Sequence, residues 1–439
     1  MAIETDGALS PQKIIETAER FGTPVYLYDE AAIIDRCSLL LRMPNAFGLA
    51  VRYAMKANSS RALLELITRQ GIDIDASSLN EARRAHLAGI PYNRMMLTTQ
   101  DVPDGSDRQN LEAMLEAGLV YNACSLQQLA LIGDFAAARG APVSVRVNPG
   151  AGAGESVTRN TGDNYSSFGI HQTDLDRAVG FAREKGLRIA QVHVHIGSGG
   201  APALWRRNID RMLEIVEQRF PDAETLNLGG GFKEARMPDE KAANIKALGS
   251  HAKRKFRAFA TRTGRRLAMA VEPGTYLVAN AGYLVTRVID RKHSGPEGLD
   301  FVVVDGGMEA NTRPLLYGSR HPFYVVSRYG QLMSSEMDLK AALGAVGPRA
   351  LVGHCCESGD AQSLDQKGRI VPRMMADPNI GDYVVIGGAG AYCASMSLSN
   401  YNSHAQAPEV LLRTDGSIRV IRARQSIDQM VANEVALRD

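Results

Sequence analysis

The chain reads as an α/β protein, a (β/α)8 TIM-like barrel followed by a mostly-β C-terminal domain. Three observations predict this. From about residue 50 to 272, short β-branched runs alternate with longer amphipathic stretches. The strand candidates in that stretch number eight, the count of a closed barrel, although counting alone leaves a doubly wound sheet open. After about residue 275 the long helical patterns stop, and β-rich runs are joined by Gly, Pro and Asp turns. At 439 residues the chain is also too long for one ordinary core, so two domains are the natural division.

In chain order, the strands are expected at 49–55, 72–75, 95–98, 119–122, 143–147, 189–195, 225–228 and 267–271. Helical periodicity falls between them, at 61–69, 79–88, 126–138, 175–184, 205–217 and 242–262. The second domain contributes β-rich runs at 283–289, 301–304, 350–352, 383–386, 410–412 and 418–421, and the N-terminal run Thr23–Tyr28 can add a strand to it. The expected domains are therefore 30–274 for the barrel, with 1–29 and 275–439 forming the β domain.

Composition narrows the class. Apolar residues make up 45% and charged residues 22%, as in a soluble globular protein, and no apolar stretch nears the ~20 residues that span a bilayer. The start of the chain, Met1 to Asp6, carries acids and lacks the basic-then-apolar layout of a signal peptide. A net charge of +2 without a long basic run argues against nucleic acid and anionic membrane as partners. The five cysteines follow no disulfide or zinc spacing, and a reducing cytoplasm is expected.

Barrel enzymes collect their chemistry at the C-terminal ends of the strands. The unusual polar residues of this chain fall there: Lys56, Asp75, Arg146, His195, Gly229-Gly230-Gly231 and Glu272. A lysine ending a buried strand is costly unless its ammonium is partnered or its pKa drops, and a depressed pKa suits Schiff-base chemistry with a carbonyl cofactor. Taken alone, a lysine at a strand end is far more often one snorkelling to solvent. His193 and His195 share one side of a strand, but no third ligand completes a metal set, so no metal is expected. His195 fits an imidazole stacked on an aromatic cofactor, and His193 a hydrogen-bonded core histidine. The three glycines allow backbone N–H groups close to a phosphate, or form a plain tight turn. Glu272 is placed to hold a pyridinium nitrogen, or is a solvent-facing loop acid. In the β domain, Cys356 beside Glu357 suits proton delivery or substrate contact, or a structural turn. Gly388-Ala389-Gly390-Ala391-Tyr392 suits a crowded cofactor edge or a subunit contact.

With these motifs in order, the chain resembles the fold-type III pyridoxal-phosphate decarboxylases, built like alanine racemase, and most closely the enterobacterial-type diaminopimelate decarboxylases. The resemblance runs from Thr23-Pro24-Val25-Tyr26 to Arg422-Ala423-Arg424-Gln425-Ser426-Ile427. Between them lie Tyr53-Ala54-Met55-Lys56-Ala57, Arg146-Val147-Asn148-Pro149-Gly150, His193-Val194-His195-Ile196-Gly197-Ser198, Glu272-Pro273-Gly274, Arg313-Pro314 with Tyr317, and Cys356-Glu357-Ser358-Gly359-Asp360. The resemblance implies pyridoxal 5'-phosphate as cofactor, with Lys56 as its Schiff-base lysine and His195 stacked on its ring. Glu272 would pair with the ring nitrogen, and Ser198, Gly229 to Gly231 and Tyr392 would surround the phosphate. Asp75, Arg146 and Gly274 would lie nearby. Arg313 and Tyr317 would hold a substrate carboxylate. Cys356 and Glu357 would reach the other subunit's site in a head-to-tail homodimer, with Cys356 donating a proton.

The family's Glu-Pro-Gly-Arg is Glu272-Pro273-Gly274-Thr275 here. Losing one charge-assisted contact to a substrate carboxylate costs roughly 1.5–3 kcal/mol, or about ten- to hundred-fold in affinity. The resemblance therefore implies either decarboxylation of meso-diaminopimelate to L-lysine, weakened or compensated, or action on another amino acid such as a siderophore or antibiotic precursor. A racemase on the same barrel would not need the Cys356 element, and a non-catalytic cofactor-binding paralogue would have lost Lys56 or the thiol. A dinucleotide oxidoreductase lacks its glycine fingerprint here.

Overall fold

The computed structural model describes residues 10–152, 160–197, 202–365 and 367–437. The chain divides into two compact units, one of Ile34–Glu234 and Ala242–Leu277, the other of Met1–Ile33, Ala235–Lys241 and Val278–Asp439. Residues 235–241 lie inside the 30–274 span expected for the barrel, yet group with the β unit.

The first unit is a closed parallel barrel. Its strands are β1 (Leu49–Ala54), β2 (Asp73–Ala76), β3 (Met95–Leu97), β4 (Val120–Ala123), β5 (Val143–Asn148), β6 (Ile189–His193), β7 (Thr225–Asn227) and β8 (Ala268–Val271). Each pairs with the next, β8 returns to β1 with Leu49 beside Met269, and the ring has no free edge. All eight expected strands are present within a residue or two, so the doubly wound alternative is excluded. A short strand, Ile170–His171, pairs outside the ring with β5.

Local sequence explains the crossings. Ser78 and Ser125 stand just beyond β2 and β4, and each side chain accepts the N–H three residues on, starting the helices Leu79–Leu87 and Leu126–Arg139. Gly140 stops the second in the left-handed conformation, at φ 60°. The helix Gly105–Glu116 escaped the periodicity because it buries only Leu111 and Met114.

The barrel interior is polar in part. Met96 of β3 meets the side-chain amides of Gln191 in β6 and Asn227 in β7, at 3.3 and 3.6 Å, and β3 pairs with neither strand. That contact passes through the barrel. Around it, Gln191 donates to Ser144, Ser144 to Asn122, Asn122 to Thr98, and Thr98 to Asp75, so buried polar groups satisfy one another from strand to strand.

The second unit is a ten-stranded sheet. Its main path runs Leu332–Ser335, Phe323–Val326, Tyr383–Ile386, Gly282–His293, Val25–Asp29, Glu409–Leu412 and Ile418–Arg422. Asp300–Val304, Val346–Val352 and Arg373–Ala376 extend a branch from Gly282–His293. The N-terminal strand therefore sits inside the sheet, antiparallel to Gly282–His293 and parallel to Glu409–Leu412. Alternation along it sends Val25 and Leu27 into a core with Val285, Val385, Val410 and the helix residues Ile14 and Ala18. Tyr26 and Tyr28 face the other way and donate to the Ala310 carbonyl and the Glu409 carboxylate. Among the described residues, no helix is long and apolar enough to cross a membrane.

Leu27 has no solvent exposure and lies mid-strand in the centre of this sheet. Leu27→Ala should cost about 2–5 kcal/mol of stability, read as a lower urea midpoint. An unchanged midpoint would show that this sheet does not unfold with the measured transition.

Candidate active site

The polar strand ends of the barrel unit do converge. Lys56, expected either as a partnered lysine at the end of a buried strand or as one snorkelling to solvent, has an exposed side chain. The chain leaves β1 at Ala54 and turns through a single 3-10 turn, Met55–Ala57, which buries Met55 and Ala57 and leaves Lys56 exposed. The ammonium still acts electrostatically on Asp75, Glu81, His193 and His195. Gly274 makes room for this turn: a Cβ there would stand 3.3 Å from Ala54 and Ala57.

Glu272, at the end of β8, is buried rather than solvent-facing. Its Oε2 accepts from Nε2 of His193 at 2.9 Å, and its Oε1 from Nδ2 of Asn227 at 2.6 Å. Burial alone would raise this carboxyl, but His193, the Arg52 charge and the Asn227 hydrogen bond hold it below the usual carboxylate range. Asp75 is the opposite case. Burial, reinforced by the charge of Glu272, pushes it well above the usual range against the pull of Lys56, and Thr98 donates to it at 3.1 Å. Arg146 is buried at the end of β5, its guanidinium 4.9 Å from the Phe168 ring centre, and its Nε has no partner among the described residues.

His195 is half-buried, and its Nδ1 accepts the Gly230 N–H at 3.2 Å while Thr161 donates to its carbonyl. Burial, then the charges of Lys56 and Arg146, lower its pKa well below the usual imidazole value. The glycine turn beside it tolerates no side chain. Added Cβ atoms would fall 2.4 Å from the Val194 carbonyl at Gly229, 2.3 Å from the Glu272 carbonyl at Gly230 and 2.4 Å from the Gly197 carbonyl at Gly231. Gly229 and Gly231 also sit at φ 64° and 93°. Ser198 lies outside the described residues.

The β unit carries two further groups. Arg313 is buried between aromatic rings, with Tyr317 and Tyr392 each centred 5.8 Å from its guanidinium carbon. Tyr392 takes φ 58°, a left-handed conformation rare for such a residue. Cys356 and Glu357 are both exposed. The Cys356 N–H donates to Asn402 at 2.7 Å, and Tyr401 donates to Glu357 at 3.2 Å. Hydrogen bonds from Ser358, Gly359 and Tyr401 lower the Glu357 pKa. Thr275 is half-buried and opens a short helix, Thr275–Val278, in the barrel unit.

His354, Cys355 and His404 also gather in the β unit, with one donor atom each within 4.8 Å of the others. The two imidazoles stack face to face, 3.7 Å apart and 10° from parallel. A ligating nitrogen directs its lone pair in its own ring plane, so one ion cannot lie in both planes. Glu309 instead accepts from the Cys355 thiol and hydrogen-bonds His354, at 3.3 and 3.2 Å.

Sequence reading missed Asn227 and Thr98, the second layer of the site. Asn227 carried a signal, an amide two residues before a glycine run and therefore on the side of the strand that meets the turn. Its Oδ1 accepts the Gly229 N–H at 3.0 Å.

Residues 32–279 match the family described as "Pyridoxal-dependent decarboxylase, pyridoxal binding domain". A diaminopimelate decarboxylase of Escherichia coli strain K12 is 33% identical over 436 residues, covering 98% of this chain and 98% of its own. A crystal structure of diaminopimelate decarboxylase superposes with a TM-score of 0.87 at 31% identity, over 98% of each chain. Another, from Helicobacter pylori in complex with L-lysine, gives 0.79 at 26% identity, over 95% of this chain and 98% of that one.

Because Glu272 has a lowered folded pKa, its ionisation stabilises the fold fully above its unfolded pKa of about 4.3. That contribution is lost as pH falls through the folded pKa. Glu272→Gln should flatten the acid limb of the stability curve of the cofactor-free protein below about pH 4.5. Denaturant midpoints across pH measure this, and an unaltered acid limb would refute it.

Proposed function

The chain belongs to the pyridoxal-dependent decarboxylases, and we propose that it converts meso-diaminopimelate to L-lysine and carbon dioxide. The family makes it a pyridoxal-phosphate-dependent carboxy-lyase acting on an amino acid. The choice of amino acid rests on one observation, the similarity to diaminopimelate decarboxylases along almost all of both chains.

The barrel residues fit the cofactor. The glycine turn is a cradle that any Cβ would fill, as a phosphate pressed against backbone requires. Lys56 offers an amine, and Glu272 an ionised carboxylate suited to a protonated ring nitrogen. Bound to such a lysine, pyridoxal phosphate supplies an electron sink for the pair left on the α-carbon when carbon dioxide departs.

The chain's own residues then have the following roles. Lys56 would hold the cofactor through its amine. Glu272 would hold a proton on the ring nitrogen, and His195 would lie against the ring. Asp75 and Arg146 would set the field around the cofactor, and Ser198, Gly229 to Gly231, Gly274 and Tyr392 would be the residues that hold it. Arg313 and Tyr317 hold the carboxylate that the product keeps. Cys356 delivers the proton that replaces carbon dioxide, with Glu357 beside it in contact with the substrate. The exposure of Cys356 and Glu357 supports a head-to-tail homodimer in which they serve the other subunit's site.

Thr275 supports a second reading, a different amino-acid substrate, because it offers a hydroxyl where the family carries an arginine. Carbon dioxide release from meso-diaminopimelate, lysine and ornithine separates the two. The proposal expects diaminopimelate to be preferred, and preference for another amino acid overturns it. Lys56→Ala should lose the cofactor's lysine-bound absorbance and at least ~10²–10⁴-fold in rate.

The shared-site dimer makes its own forecast. Mixing inactive Lys56→Ala and Cys356→Ala proteins should restore activity, since hybrid dimers carry one intact site. Two inactive variants that stay inactive after verified subunit exchange would rule it out.

A further inference from the structure

Glu272 is held by two side chains of the barrel, His193 on β6 and Asn227 on β7. We propose that His193 is the positioning residue of this site, a neutral imidazole whose Nε2–H fixes the Glu272 carboxylate without cancelling its charge. The inference rests on the reading of Glu272 as the partner of the cofactor ring nitrogen.

The geometry limits the alternatives. Strand register sets Arg146, His193 and Asn227 side by side on β5, β6 and β7. His193 and Asn227 occupy one carboxylate oxygen each, so Glu272 is held from two directions. Asn227 also receives the Gly229 N–H, tying the carboxylate to the glycine turn through one amide. An imidazolium at 193 would reduce the pair's net charge to zero, leaving little to retain a proton on a ring nitrogen. It would also place a second N–H on Nδ1, which is buried and has no partner among the described residues. A neutral ring leaves only a lone pair there.

The surroundings favour the neutral ring. Burial lowers the basicity of His193 first, and Arg146 on β5 and Lys56 beyond β1 add to it, against the pull of Glu272 on β8. His195, two residues along, also sits in their field, and Arg52 of β1 acts on Glu272. A neutral donor is what an asparagine or glutamine also provides, and Asn227 already plays that part on the other oxygen.

Two measurements test this. In the cofactor-free protein labelled with ¹⁵N-histidine, His193 should show the neutral Nε2–H form at about pH 7. An imidazolium signal at neutral pH overturns the proposal. In the loaded protein, His193→Leu should weaken cofactor binding about tenfold or more and move the pH midpoint of its visible band by about one unit. His193→Gln, which keeps a neutral donor, should restore both towards wild type. If Glu272→Gln weakens binding but His193→Leu and His193→Gln both match wild type, the positioning role falls alone. If Glu272→Gln itself leaves binding and spectrum unchanged, the underlying reading of Glu272 falls instead. Should His193→Leu fail to fold, the tautomer measurement on wild type still decides.

Discussion

Closure of the barrel is the constraint on which the site depends. β1 and β8 are far apart in sequence, and their pairing, Leu49 with Met269 through Val51 with Val271, is what brings the Lys56 turn beside the Glu272 loop. The Ala54 N–H donates to the Pro273 carbonyl at 3.1 Å, and Gly274 lets the two turns approach as closely as backbone allows. A slip of one residue in any strand would reverse the faces of its side chains. Asn227 or His193 would then point at the helices, and Glu272 would lose a donor. Hydrophobic burial closes the ring, but register is what turns a closed ring into a site.

Inside the ring, charge is distributed unequally. Asp75 and Glu272 are both buried carboxyls at strand ends, and their environments push them in opposite directions. Glu272 has two donors on its two oxygens, whereas among the described residues Asp75 has one, the Thr98 hydroxyl. The outcome is one firmly ionised acid beside one that resists ionisation, which is how a site specifies where its negative charge sits. The hydrogen-bonded chain from Thr98 through Asn122 and Ser144 to Gln191 runs beneath both. It lets a barrel interior carry polar groups without leaving them unpaired.

Much of this was legible in the residues. Period and turn chemistry located the eight barrel strands, because each is a short apolar run bounded by Gly, Pro or a capping serine. Strands 323–326, 332–335 and 373–376 were not read; each is only four residues long, and 323–326 pairs with the adjacent 332–335 as well as with 383–386. The positions of Glu272 and the glycines were readable because a strand-end rule predicts them. For Lys56 an anchored lysine and a snorkelling one both stayed open, because one 3-10 turn decides its exposure and a strand pattern does not foretell how the chain leaves the strand. Asn227 was missed for a related reason. An amide acquires meaning only when register puts a carboxylate opposite it.

The two units differ in what they can select. An amine, a ring-nitrogen partner and a phosphate cradle recognise what every α-amino acid bound to the same cofactor has in common, so the barrel residues say little about which amino acid is used. Arg313 in the β unit is more discriminating. It is a permanently charged, planar cation buried against two tyrosine rings, and burial strengthens its field by excluding water. Such a group repels a side chain ending in ammonium alone, as in lysine or ornithine, and attracts one that ends in a carboxylate. Diaminopimelate carries a carboxylate at its far end, whereas its decarboxylation product, lysine, carries only ammonium at one end and a carboxylate at the other. Were Arg313 to face the substrate, as proposed, it would favour a second carboxylate even with a threonine at 275, and Thr275 would bear on how tightly that carboxylate is held.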